Sequence, residues 1–225
     1  MLEFDLRHAT GQRAVLDPQF LHKTVMSGFY GWVADGAPDP RAQLAVLHVA
    51  SADLAADLLT VVVQARVQPD WARLPRLALR RHPAVCTVEQ RAEPGAQFSF
   101  RVVVHPTRDS GPQRRRRDLT DSKDVLAWFV DRLQPAGEPA VSADGRGVRR
   151  LGADARTEDL EVRMLPSVQN MRDRPGQRLT RSEIRGRLSV TDPAAFVDVL
   201  RTGLGRSRSL GCGLVLAEPA AEPLG

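Results

Sequence analysis

The chain is poor in the residues that most often staple or stack a small protein. Two cysteines, Cys86 and Cys212, are all that its 225 residues contain. They lie far apart in different patterns, which excludes a disulfide framework and any C-x-x-C metal or redox motif and leaves two reduced thiols. Aromatic residues make up 5%, with a single tyrosine, which argues against an RNA-recognition surface built from stacked aromatics on a sheet face. Apolar runs are short as well. None reaches the about 18 residues of a membrane span, and the opening MLEFDLRHAT lacks the apolar stretch of a secretory signal, so a cytoplasmic protein is expected. Lysine is almost absent: Lys23 and Lys123 stand against thirty arginines.

Hydrophobic residues make up 42%, enough for one sizeable core or two small ones and too many for disorder. The arginine bias alone carries little weight, because a G+C-rich genome produces the same excess. Its distribution says more. Residues 1–94 hold ten basic and ten acidic side chains, whereas residues 95–225 hold 22 and 17, so the whole net charge of +5 lies in the second half. A phosphate-rich partner would be expected to touch there.

From residue 96 the pattern runs in a clear order. A strand, AQFSFRVVVH, leads into a basic loop, PTRDSGPQRRRRDLT, and then a helix, DSKDVLAWFVDRL, capped by Asp121 or Ser122. Two strands follow, TEDLEVRML and RSEIRGRLSV, and then a helix, DPAAFVDVLRTGL, with Pro193 at its first position. The last strand is LGCGLVLAEP. This β-α-β-β-α-β order is the ferredoxin-like unit. The first half repeats it less clearly: LEFDLRHA, the helix PQFLHKTVMSGFYGW, strands LAVLHVAS and LLTVVVQARV, a short helical piece around residues 70–77, and a strand AVCTVEQ. SADLAADLLTVVV also fits a helix over residues 52–63. The fold class expected is α+β, with two tandem ferredoxin-like (RRM-like) domains, residues 1–94 and 95–225.

The stretch GLGRSRSLGCG, residues 203–213, combines four glycines with two arginines. A dinucleotide fingerprint needs strand, glycines, helix, so that the helix N-terminus meets the pyrophosphate. Here the order is helix, glycines, strand, and no G-K-[ST] is present for a P-loop. Two readings stay open: glycine caps and turns entering a crowded strand, or a phosphate receptor in which backbone N–H groups and guanidinium forks hold a bent backbone.

Of five histidines, His82 and His105 precede prolines, His8 lies near the N-terminus, and His48 sits in an apolar strand where a structural role is expected. His22 differs. It lies in the first turns of a helix, beside the stripe Leu21, Val25 and Phe29 and next to Lys23. A helical histidine is usually a hydrogen-bonded packing residue, and a catalytic imidazole is the rarer alternative. There is no second His or Cys at ligand spacing from it, no G-x-S-x-G and no carboxylate cluster of the two-metal kind. Chemistry by this chain would therefore be metal-free. RNA suits such a site, because its 2′-hydroxyl is an internal nucleophile that needs only alignment, a proton acceptor and charge on the phosphate stabilised.

DPQFLHKTVMSGF, FRVVVHP, VLAWFVDRL and DPAAFVDVLRTGLGRSRSLGCGLVL, taken together and in this order, resemble the CasE family of type I-E CRISPR RNA-processing endoribonucleases. The C-terminal G-x-G-x-x-x-x-x-G-x-G is the most specific part. The resemblance implies binding of the CRISPR repeat stem-loop in precursor transcripts and one metal-independent cut at the 3′ base of the stem. The products would be a 2′,3′-cyclic phosphate and a 5′-hydroxyl, and the cut RNA would be kept as the protein joins Cascade. No cofactor, membrane or direct DNA contact is implied. By position, the family's histidine falls on His22 as general base or acid, and Lys23 would stabilise the scissile phosphate. Some members carry a tyrosine three residues before the histidine, where this chain has Gln19, which can hydrogen-bond but cannot act as a phenolic acid.

The resemblance also places RNA backbone on Gly203, Gly205, Arg206, Ser207, Arg208, Gly211 and Gly213. It places the groove-inserting hairpin between residues 163 and 187, with Arg163, Arg172, Arg174 and Arg178 as contacts beside Arg181, Arg185 and Arg187. Arg114, Arg115, Arg116 and Arg117 form a second basic run, equally readable as a solvated loop face. A non-catalytic RNA-binding module of the same fold is the first alternative, and a small-molecule or protein-interaction domain the second.

Overall fold

The computed structural model describes residues 1–32, 34, 36, 38–110, 115–140, 148–169 and 178–220. The chain forms two compact units. The first comprises Met1–Val88 with Ser167–Leu179 and Ser207–Leu214, and the second comprises Glu89–Pro166, Thr180–Arg206 and Val215–Gly225. Two segments that follow residue 95 in sequence thus pack with the N-terminal part of the chain.

In the first unit β1 (Leu2–Asp5), β2 (Leu47–Asp53) and β3 (Leu58–Gln64) form an antiparallel sheet in the order β1-β3-β2. The fourth position of a ferredoxin-like sheet, outside β1, is held by a single bridge from Leu79 to Phe4 and by the Arg80 N–H donating to the Glu3 carbonyl at 2.8 Å. The expected strand AVCTVEQ is therefore not formed. The chain has already used Leu79 and Arg80 to close the edge of β1. The expected helical piece at 70–77 is reduced to a 3-10 turn, Arg76–Ala78. Its start is held elsewhere: the Asp70 N–H donates to the Gly28 carbonyl at 2.7 Å, and the Trp71 ring lies over Gly28. A Cβ at Gly28 would come 2.3 Å from Trp71 Cζ3, so glycine is what allows the ring to bury there.

The ambiguous stretch 52–63 resolves as the β2–β3 hairpin. Asp53 Oδ1 accepts from the N–H groups of Ala55 and Ala56, and Asp57 takes φ +51, a turn that a helix would not need. The first strand stops at Asp5, short of the expected LEFDLRHA, because His8 Nδ1 caps α1 (Ala9–Leu16) through the Thr10 N–H. α2 (Pro18–Met26) starts where Asp17 Oδ1 accepts from Gln19 and Phe20 and Pro18 occupies the first position, and it gives way to a 3-10 turn at Ser27–Phe29. Its Leu21 and Val25 meet Leu2, Phe4, Leu59 and Val61 in one buried cluster. α3 is the short Pro40–Gln43, capped by Asp39.

The second unit follows the sequence pattern closely. β4 (Gln97–Val104) is followed by α4 (Ser122–Val130) after an intervening ribbon, β5 (Thr107–Ser110) with β6 (Arg115–Asp118). The expected basic loop thus includes a two-stranded hairpin, tied by Arg116 Nε to Asp109 Oδ1 at 3.2 Å. β7 (Ala153–Asp154), β8 (Leu160–Gln169), β9 (Arg178–Val190), α5 (Pro193–Thr202) and β10 (Val215–Pro219) complete it. The sheet order is β10-β4-β9-β7, with β8 also paired to β9. That places the last strand beside the first and the third beside the second, the ferredoxin-like arrangement read from the sequence. Phe100 and Phe129 stack at 5.4 Å in its core, with Val102, Leu188 and Phe196 also buried.

The fold is α+β with tandem ferredoxin-like units, and the first has its fourth strand reduced to a bridge. Among the described residues no helix is long and apolar enough to cross a membrane.

Candidate active site

His22 projects from the middle of α2, half-buried, and Lys23 beside it is exposed. The His22 ring lies 6.3 Å from that of His48, the planes 23° apart. His48 stands on β2 opposite Val63 and is 1% exposed. Its Nε2 is buried without a hydrogen-bond partner, which is uncommon for a native polar group.

The turn Arg208–Leu210 packs against both α2 and β2. Its neighbour Gly211 is buried, and a Cβ there would stand 3.5 Å from His48 Nε2. Gly211 takes φ +81 and ψ +23, the left-handed region that glycine enters freely. Ser207 starts the turn, its carbonyl accepting from Leu210 N–H at 2.9 Å and Cys212 N–H at 3.3 Å.

Charge completes the setting. Burial pushes the His22 pKa down, the Arg41 guanidinium adds to this, the Asp39 carboxylate opposes it, and Lys23 lowers it further. Burial also pushes His48 down to about 3, with smaller contributions from His22 and Arg41. Both imidazoles are thus biased toward the neutral form, His48 far more strongly. Arg41 is fixed by donating from Nη1 to the Val46 carbonyl at 3.3 Å, with Asp39 Oδ1 3.8 Å from its Nε. A partly accessible neutral imidazole next to the exposed Lys23 can take a proton from a hydroxyl and return one to a leaving oxygen.

The structure therefore packs the helix that carries His22 and Lys23 against the turn Arg208–Leu210, which Gly211 follows. Gly213 is buried in the same unit, and Ser207 and Arg208 are half-buried. Gly203, Gly205 and Arg206 belong to the second unit, where Gly203 caps α5 and is buried and Arg206 is exposed. In the hairpin, Arg163 lies 3.5 Å from Glu183, Arg185 grips Glu161 through Nε and Nη2 at 3.0 and 2.8 Å, and Arg178 is exposed. Arg172 and Arg174 lie outside the described residues, as does Arg114. Arg115 is placed on β6, and Arg116 and Arg117 are exposed there. Among the described residues no group of three or more His, Cys, Asp or Glu is placed to hold a metal ion. Sequence reasoning missed Arg41 and gave His48 a packing role only. A histidine in an otherwise apolar strand was the one available signal.

The model of the family described as CRISPR associated protein matches residues 1–219. The chain belongs to that CRISPR-associated family. The CRISPR-associated endoribonuclease Cse3 of Thermus thermophilus is 27% identical over 162 residues, 71% of this chain and 72% of its own. A structure of the CRISPR endoribonuclease Cse3 bound to a 19-nucleotide RNA shares the fold with a TM-score of 0.72 at 20% identity, covering 97% of each chain. The CRISPR-associated protein Cas6e of Escherichia coli strain K-12 does so with a TM-score of 0.66 at 17% identity, covering 97% of this chain and 98% of its own. These agree with the CasE resemblance carried by DPQFLHKTVMSGF and the C-terminal glycine segment.

Proposed function

We propose that this CRISPR-associated protein is a metal-independent endoribonuclease that binds the repeat stem-loop of precursor transcripts and cuts once at the 3′ base of the stem. His22 removes the proton from the 2′-hydroxyl, the 2′-oxygen attacks phosphorus, and the bond to the 5′-oxygen breaks as the His22 imidazolium gives its proton to that oxygen. A 2′,3′-cyclic phosphate and a 5′-hydroxyl result. Lys23 and Arg208 stabilise charge on the phosphate oxygens, and Arg206 and the basic hairpin hold the duplex backbone, since A-form RNA is read mainly by shape and phosphate. The cut RNA stays bound and the protein serves as a Cascade subunit in the cytoplasm. Residues 1–94 and 95–225 supply the bulk of its two domains, with Ser207–Leu214 grouped with the first.

The observation that carries this reading is the half-buried His22 imidazole on α2, the helix that packs against the arginine-bearing turn Arg208–Leu210, in a chain related to Cse3. The test is incubation with a panel of repeat hairpins and mapping of the product ends, with His22→Ala alongside. One cut at the stem base, lost in the variant while affinity is nearly kept, supports the reading. Binding without cutting by the unaltered chain would replace it with the non-catalytic module.

A further inference from the structure

His48 combines three features that core packing alone does not require: near-complete burial, an Nε2 with no hydrogen-bond partner, and a ring set beside that of His22. A buried nitrogen left unpaired costs roughly 1–3 kcal/mol. Phenylalanine or leucine would fill the same space without that penalty. The groups that face His48 come from three elements: His22 on α2, Arg41 on α3, and Gly211 beside the Arg208–Leu210 turn. None of them supplies a partner for Nε2 here.

We propose that His48 is a positioning residue for His22: with RNA bound, its Nε2 accepts the His22 ring N–H that faces away from the ribose. This rests on the endonuclease reading of His22. Catalytic hydrogen bonds are often long in the free protein and tighten in the complex, and centroids at 6.3 Å leave such a closure to make. An acceptor on one nitrogen fixes the tautomer that presents the other as a base, and it steadies the imidazolium once the 2′-hydroxyl proton has arrived. His48 itself neither gains nor loses a proton. Burial keeps it neutral, and in the Nδ1–H tautomer that this role requires Nε2 carries the accepting lone pair. Gly211 is part of the same device, because it lets the backbone close over the ring without a side chain.

The experiment compares the full chain with His48→Phe, which keeps the ring and removes the acceptor, and His48→Gln, which restores one. Single-turnover cleavage of the cognate hairpin should slow by about 10- to 100-fold in His48→Phe, the range typical of lost outer-shell partners. Its Kd for a 2′-deoxy hairpin should stay the same, and His48→Gln should recover part of the rate. The His22 pKa in the RNA complex, read by NMR, should fall in His48→Phe. Unchanged cleavage together with an unchanged His22 pKa overturns the proposal. If His48→Phe does not fold, 15N-histidine spectra of the unaltered chain on the 2′-deoxy hairpin decide. A coupling across a His22–His48 hydrogen bond supports the role, and its absence overturns it. His22→Ala retaining activity would instead defeat the underlying endonuclease reading.

Discussion

Gly211 and His48 meet so closely that a methyl group on the glycine would rest 3.5 Å from the imidazole Nε2. That spacing is ordinary van der Waals contact, so the obstacle to a side chain at 211 is the backbone, held at φ +81. Gly211→Ala should therefore cost about 1–2 kcal/mol of stability through left-handed strain. It should lower single-turnover cleavage without abolishing it. Thermal melts and cleavage time courses of the same preparation check both.

Arg41 is the strongest charged influence on His22 after burial, and it acts to lower the pKa. Arg41→Gln should raise it. A base that works only when neutral then loses activity at a higher pH as the medium is acidified, so the acidic limb of the cleavage profile should move upward. A limb that stays in place in the variant would remove Arg41 from the electrostatics of the site.

The depressed pKa of His48 has a consequence for acid stability. Its folded-state value of about 3 lies below the ordinary 6.5, so between those values the unfolded chain binds a proton that the folded chain does not. Stability must fall as pH drops through that window and level off below it. Replacing His48 by phenylalanine removes this contribution, and its unfolding free energy should decline less between pH 6 and 4 (about two units inside the window). Denaturant melts at a series of pH values measure the slope.

In the second unit Glu183 is 6% exposed and is held by Arg101 Nε at 2.5 Å and Arg163 Nη2 at 3.5 Å. Arg101→Ala leaves that carboxylate buried with one distant partner and should destabilise the chain by roughly 1–3 kcal/mol. Arg163→Ala, whose side chain is 62% exposed, should cost less than about 1 kcal/mol. Equal losses in denaturant melts would contradict this ranking.

The second unit was readable because its signals are local. Asp192 and Pro193 announce α5, and the period-2 pattern of FSFRVVV announces β4. The first unit was harder. Its fourth strand is one bridge at Leu79, and the 70–77 region is governed by Trp71 lying on Gly28, a contact between residues over forty positions apart. The same holds at the site. His22 stood out by its place on a helix, whereas His48 gains meaning from partners distant in sequence, the His22 ring and Gly211, the latter arriving from the far end of the chain.

That long-range visit decides where the protein can be divided. Ser207–Leu214 belongs with the N-terminal unit although the residues on both sides of it do not. A fragment ending near residue 94 would carry both imidazoles yet lose the strip that roofs one of them, opening that pocket to water. Excision of the first half should yield an inert piece, and adding the missing peptide in trans is the complementation to try.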